Sequence, residues 1–323
     1  MLTIYRIADG RLEPAPGPLT AGNGPRWIDL LHPSAEEDLA VETALSIPVP
    51  TRAEMREIEA SNRLYMEGGA YVMTAMVAHN IEGSAPQFSA VTFILHGNNL
   101  VTVRYAEPKA FPLFLQRVDK GDAPAKYGAE VMIGLLESLI QRTADLIERV
   151  QDEVNRLATQ VFEIKGGQQT RQRRLDVSLR TIGRLGETTS RAEESTNSLE
   201  RLLIFLIEAM KTRGDPARDL QRVKSVQRDI RSLNEHLKFL NARINFLLDA
   251  VLGIISIEQN QIIKLFSVMA VMLMPPTLVA SIYGMNFRHM PELEWLLGYP
   301  WALLLMLVAA LVPYLYFRRK GWL

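Results

Sequence analysis

Two apolar runs near the C-terminal end constrain this chain more than any other feature. The first covers about 262 to 283 and the second about 295 to 317. Each matches the roughly 20 residues that a helix needs to cross a hydrocarbon core. The sequence therefore predicts a chain that spans a bilayer twice. The first run closes on Ser281-Ile282-Tyr283-Gly284-Met285-Asn286-Phe287, and Met290-Pro291-Glu292-Leu293 follows at once, which places this segment at a membrane mouth.

No comparable run occurs in the first 250 or so residues, and Met1-Leu2-Thr3-Ile4-Tyr5-Arg6 lacks the charged-then-apolar layout of a signal peptide. Arg318, Arg319 and Lys320 directly follow the second run, whereas the link between the runs carries only Arg288 as a full positive charge. The positive-inside rule then puts the tail in the cytoplasm, and two crossings put the N-terminal part there too. There is no cysteine, which fits a reducing compartment and excludes disulfides and thiolate metal sites. Lys and Arg total 36 against 36 Asp and Glu, so the soluble part is not a polybasic nucleic-acid binder.

Residues 1–126 alternate β-rich pieces with turn signals: Arg26 to Leu30, Tyr71 to Val77, Ala90 to Leu95 and Leu100 to Arg104. The last two, joined by His96-Gly97-Asn98-Asn99, read as a hairpin because Gly and Asn tolerate the positive φ of such loops. Helical patches at Ala35 to Leu45 and Arg52 to Glu59 interleave with them, giving an α+β domain. From 127 to 215 the β signal stops. One helix is expected from about Ala129 to Phe162, a break at Gly166-Gly167, and a return from about Thr170 to Lys211 before Gly214-Asp215-Pro216, making an antiparallel pair.

Residues 216–261 form a stalk with apolar residues at Val223, Val226, Ile230, Leu233, Leu237, Leu240, Ile244, Leu247, Val251 and Ile254, an unbroken three-four spacing. Two readings fit: an amphipathic helix in an intramolecular bundle, or a rod that packs against identical rods of other subunits around an axis. No Gly-Pro break separates Ile254 from the first span, so helix is expected from Pro216 to Tyr283, on the order of 100 Å. The last region, 262–323, holds the first span, a link at 284–294, the second span and a basic tail at 318–323.

On a helical projection Asn260, Ile263, Ser267, Ala270, Met274, Thr277 and Ser281 fall within one arc of about 100°. The opposite arc, Leu265, Val268, Met272, Val279 and Ile282, is purely apolar. A face of small, polar and thioether groups in hydrocarbon must meet protein or water, which makes it either a helix-packing face or a pore lining. Pro275-Pro276 removes two backbone donors and reads as a hinge, although prolines are common in membrane helices generally. The five histidines stand singly, with no partner at metal or triad spacing, and no Gly-rich phosphate loop occurs, so an enzyme is not expected.

Tyr283-Gly284-Met285-Asn286-Phe287 with Met290-Pro291-Glu292-Leu293, in a two-span C-terminal region ending in a basic tail, resembles the CorA family of magnesium and cobalt channels. The likeness extends over Ile257 to Asn260, Phe266-Ser267-Val268, Pro275 to Ser281 and Pro313 to Phe317, about the last 70 residues. It implies a funnel-shaped homopentamer in the inner membrane, with the first span lining the pore, the second packed outside it and the α/β domains around the funnel in the cytoplasm. Carried over, Gly284, Met285 and Asn286 form the selectivity filter, with Asn286 holding Mg²⁺ through its waters. Thr277 and Asn260 make polar rings lower down, Met274 a hydrophobic constriction, and Ile263 and Phe266 the narrow cytoplasmic end; Ser267, Ala270 and Ser281 complete the lining.

The resemblance further implies passive, potential-driven transport of Mg²⁺, with Co²⁺ and Ni²⁺ as further cargo, no cofactor, and closure when cytoplasmic Mg²⁺ occupies acidic sites between subunits. Those sites are not identified by the sequence; Asp145, Glu148, Asp152 and Glu153 share helical spacing that equally suits a solvated face. Glu292 and Glu294 either concentrate cations at the outer mouth or are simply solvated, and Arg318, Arg319 and Lys320 serve first as a membrane anchor. A zinc transporter of the same superfamily shares the architecture but usually departs from this tripeptide and loop. A membrane-tethered coiled-coil scaffold is the alternative of another class.

Overall fold

The computed structural model describes residues 1–8, 10–15, 17, 24–57, 59–83, 85–163, 168–286, 290–291 and 294–322. The chain divides into two compact units, residues 1–166 with 176–247, and residues 167–175 with 248–323.

The first unit contains a seven-stranded sheet of β1 (Leu2–Ala8), β2 (Arg11–Pro14), β3 (Arg26–Leu31), β4 (Leu64–Glu67), β5 (Ala70–His79), β6 (Gln87–His96) and β7 (Asn99–Arg104). The order is β2-β1-β3-β7-β6-β5-β4, antiparallel throughout except where β3 meets β7. The expected hairpin is present: His96 pairs with Asn99, and Gly97 takes a φ of 55°, a region glycine enters without steric cost. Strands β1, β2 and β4 carried no recognised signal. The patch expected to be helical at 52–59 is a 3-10 turn at Glu54–Arg56, with α2 (Ala60–Arg63) following separately. That tighter turn buries Met55 beside the sheet.

Because successive strand residues point to opposite faces, Trp27, Met73, Phe93 and Leu100 join one core with α3 (Ala110–Asp119) and α4 (Gly128–Phe162). Ile28, Val72, Ile94 and Val101 join a second core with Val41 of α1 (Ala35–Leu45). Close approach is written into α4. A Cβ on Gly128 would lie 2.5 Å from the Asn99 carbonyl carbon, and one on Gly134 would lie 2.3 Å from Phe114 Cε2. Across β3 and β7, Arg104 and Asp29 form a buried ion pair at 2.7 Å. The Thr102 hydroxyl donates to Asp29 at 2.7 Å and accepts from the Trp27 indole at 3.0 Å, so this polar group is satisfied inside the core.

Three helices complete this unit: α4, α5 (Gln168–Arg213) and α6 (Ala217–Tyr283), of which α5 and α6 continue into the second unit. Arg222 donates to Glu137, and His236 pairs with Gln151, at the same sequence offset, so α4 and α6 run parallel. Arg231 bonds Glu200 and Asn241 bonds Glu193, which sets α5 antiparallel to α6. The expected helical pair thus gains a third member. Val223, Val226, Ile230, Leu237, Leu240, Ile244 and Leu247 are all buried. Identical rods from other subunits are not needed to cover this seam, because α4 and α5 of the same chain offer matching apolar faces. At one rung Asn234 is buried beside the half-buried Leu233, bonded to Thr196 and to Glu200.

In the second unit α6 continues without a break through Pro275 and Pro276 to Tyr283. The other long helix, α7, spans Gly298–Arg319. Trp295, Leu296 and Leu297, expected at the head of the second span, precede this helix. Gly298-Tyr299-Pro300 starts it, because a proline in the first turn forfeits no intrahelical hydrogen bond. Both segments are long and apolar enough to cross a membrane, and their side chains are largely exposed.

Candidate functional site

Within the second unit α6 has two unlike faces. Val268, Met272, Pro275, Pro276, Val279 and Tyr283 form its less exposed stripe, with Val268 only 1% exposed. On α7 the matching stripe is Gly298, Ala302, Met306, Ala309, Pro313 and Phe317, and the small residues among them let two helices approach closely. At 3.6 residues per turn, the polar arc read from the sequence lies roughly 200° from the covered stripe of α6. Asn260, Ser267, Ala270, Thr277 and Ser281 are exposed, as are Ile263 (61%), Phe266 (63%) and Met274 (69%). The covered stripe shares Val268, Met272 and Val279 with the apolar arc, whose Leu265 and Ile282 are exposed, and the polar arc is left open.

Local chemistry along this open face is neutral. No Asp or Glu occurs between Glu258 and Glu292. The Thr277 hydroxyl donates to the Leu273 carbonyl at 2.8 Å, which settles the side chain against its own helix. Pro275 and Pro276 have no N–H, so the carbonyls of Val271 and Met272 lose their usual helical donors. At the end of α6 the Gly284 amide still donates to Ala280 at 3.0 Å and the Met285 amide to Ile282 at 3.2 Å. Asn286 follows as an exposed residue outside the helix, with its carboxamide free of helical geometry.

The remaining expected site residues are dispersed. Glu294 is exposed, and its amide donates to the Pro291 carbonyl at 3.3 Å. Glu292, Phe287, Arg288 and His289 lie outside the described residues. Arg318 and Arg319 form the last turn of α7, and Lys320 follows them. Of the carboxylates considered for regulation, Asp145 pairs with Arg142 at 2.8 Å and Glu153 pairs with Arg184, while Glu148 and Asp152 are exposed. Among the described residues no three His, Asp or Glu side chains gather as ligands for a metal ion within the chain.

Sequence reasoning missed one grouping, an aromatic and cationic cluster where the C-terminal end of α7 meets α6 at Lys264, about five turns before the helix end that precedes Asn286. Lys264 lies over Trp322, with its ammonium 5.9 Å from the ring centre, and Trp322 stacks on Phe317. The residues are distant in sequence, so only the packing of α6 with α7 joins them.

A sheet packed with helices, from which α6 runs on into a second unit where it and α7 are both of membrane-spanning length, defines a two-span membrane protein with its polar face on the first span. The family profile described as CorA-like Mg²⁺ transporter protein matches residues 22–319. The magnesium transport protein CorA of Salmonella typhimurium is 37% identical over 298 residues, 92% of each chain. Among solved structures, the CorA magnesium transporter of Methanocaldococcus jannaschii matches with a TM-score of 0.80 at 17% identity, covering 100% of this chain and 99% of that one. The cytoplasmic domain of ZntB from Vibrio parahaemolyticus matches with a TM-score of 0.59 at 10% identity, over 78% of this chain and 96% of that one. At such identities these likenesses concern the fold alone. The chain belongs to the CorA-like Mg²⁺ transporter family.

Proposed function

We propose that this chain forms a passive channel that carries Mg²⁺ inward across the inner membrane, driven by the membrane potential. The observation that supports this reading most directly is the open, neutral face of α6 running from Asn260 to Ser281 and ending at Gly284-Met285-Asn286, in a chain of this family. Several copies around an axis, five on the family's resemblance, turn that face into rings and leave α7 on the outside, with both termini in the cytoplasm.

The ligand chemistry suits the ion. Mg²⁺ gives up its waters reluctantly and is held well through them by neutral oxygen groups. A carboxamide ring at Asn286 binds weakly enough for release, which conduction requires. At about 2.3 kcal/mol per charge per 100 mV, a divalent cation gains roughly 4.6 kcal/mol on entry, so the channel needs no ATP. Co²⁺ and Ni²⁺ share the charge and are further cargo. Closure is assigned to Mg²⁺ bound on the cytoplasmic side between subunits.

The fold shared with the ZntB domain keeps zinc as the second cargo to test. Purified protein in liposomes, with a cation-sensitive dye inside and an imposed negative interior potential, is offered Mg²⁺ or Zn²⁺ separately. Mg²⁺ entry that grows with the potential is the expected result. Entry of Zn²⁺ alone selects the zinc reading, and entry of neither from an intact oligomer revives the scaffold.

A further inference from the structure

Ion conduction leaves one group of side chains without a task. Lys264 is the single charged residue between 262 and 283, and none occurs between 295 and 317. On α6 it lies between the open arc and the covered stripe, one turn from Asn260 and from Ser267. Its ammonium lies 5.9 Å from the centre of the Trp322 ring. Trp322 stacks on Phe317 at 5.3 Å, Phe317 meets Tyr316 edge-on at 5.6 Å, and the Lys320 ammonium lies 5.3 Å from the Tyr316 ring centre. Arg318 and Arg319 are exposed in the same final turn. Four cations and three aromatic rings thus gather around the C-terminal end of α7.

Nothing acidic in the local sequence offsets them: the chain has no Asp or Glu after Glu294 and none between Glu258 and Glu292. Lysine and arginine at the edge of hydrocarbon extend their charged heads to the headgroup layer while their stems stay in apolar surroundings. Tryptophan and tyrosine prefer that same depth. A basic cluster beside membrane helices at this level matches a phosphodiester, which supplies the missing negative charge and accepts several charge-assisted hydrogen bonds.

We propose that Lys264, Arg318, Arg319, Lys320 and Trp322 form a binding site for the headgroup of an anionic phospholipid, held where the C-terminal end of α7 meets the start of the apolar run of α6. The proposal rests on the two helices being membrane spans, and it is independent of which ion passes.

Native mass spectrometry of the full-length protein in detergent, titrated separately with phosphatidylglycerol and phosphatidylcholine, tests it. The wild type is expected to retain phosphatidylglycerol preferentially. Lys264→Gln combined with Arg319→Gln is expected to lower that preference by roughly fivefold per charge removed, the size of a single basic residue's attraction to an anionic surface. Lys264→Arg keeps it. Equal retention of the two lipids, or an unchanged preference in the double variant, overturns the proposal. Salt provides a check on the wild type alone, since retention that does not fall as sodium chloride rises also overturns it. Inorganic phosphate that quenches Trp322, judged against Trp322→Phe, while phosphatidylglycerol does not, assigns the site to free anions and ends the lipid reading. Lipid preference without Mg²⁺ flux refutes the channel and leaves this site standing, and flux without lipid preference does the reverse.

Discussion

Asn286 stands one short step past the end of α6, exposed, and the proposed channel gives its neutral carboxamide the task of holding a hydrated cation weakly enough for release. Asn286→Ala is expected to cut Mg²⁺ flux into liposomes by more than about tenfold, since each lost hydrogen bond to a hydrated ion is worth about 1 kcal/mol and a ring loses several. The oligomer and its melting temperature should not change, because the side chain is exposed at the end of its helix. Glycines give a contrasting pair. Gly134→Ala forces a methyl against the Phe114 ring, itself held by Trp27 at 6.1 Å, and is expected to cost about 1–3 kcal/mol. At Gly183 an added methyl would meet no atom within 4 Å, so alanine there should stabilise α5 by roughly 0.5–1 kcal/mol. Thermal unfolding of the full chain in detergent compares the two. His79, half-buried and 2.8 Å from the Ser89 hydroxyl, has its pKa pushed below 6.5 by burial. The unfolded histidine therefore takes up a proton first as pH falls. Its contribution is present above pH 6.5 and is lost as pH drops from there through the folded value, so His79→Gln should flatten the melting curve's pH dependence across that window.

Among the elements, α6 is the most informative, because one helix changes environment along its length. In the first unit its seam faces α4 and α5, and in the second Val268, Met272 and Val279 form its covered stripe. The buried rung at Asn234 interrupts an otherwise apolar seam and ties α6 to Thr196 and Glu200 on α5. Such a polar contact fixes the register of two helices whose apolar residues would tolerate a shift. Asn234→Ala leaves Thr196 and part of Glu200 without this partner and is expected to destabilise the chain by about 1–3 kcal/mol. Chemical denaturation of the full-length protein, read by the circular dichroism of its helices, measures that loss.

For the molecule as a whole, the question is what covers the outward side of α6. Phe239 and Phe246 stand seven residues apart, on the side away from the seam, and each is 60% exposed. Phe246 meets the similarly exposed ring of Phe162, at 6.3 Å. On the proposed oligomer, this exposed aromatic side of α6 is the surface that would meet a neighbouring subunit. Phe239→Ser with Phe246→Ser is expected to shift the protein from oligomer toward monomer in native mass spectra at micromolar concentration, while helix content is retained. An unchanged oligomer would place the association surface elsewhere.

Much of the architecture was legible in the chain alone. Hydrocarbon thickness sets the length of a span, so the two apolar runs declared themselves, and no Gly-Pro break separated Ile254 from the first of them. The hairpin at Gly97 and the limits of α4 and α5 followed from local turn and capping chemistry. The Gly284-Met285-Asn286 segment carried the family resemblance directly. What the sequence left open were pairings between distant residues. Strands β1, β2 and β4 exist because neighbours complete their hydrogen bonds, and the Lys264–Trp322 cluster exists because α7 packs beside α6. A three-four repeat states that one side of a helix must be buried without naming what buries it. Only the tertiary structure decided that the seam of α6 closes within its own chain and that its polar arc in the second unit stays open, since burial depends on which surfaces meet in space.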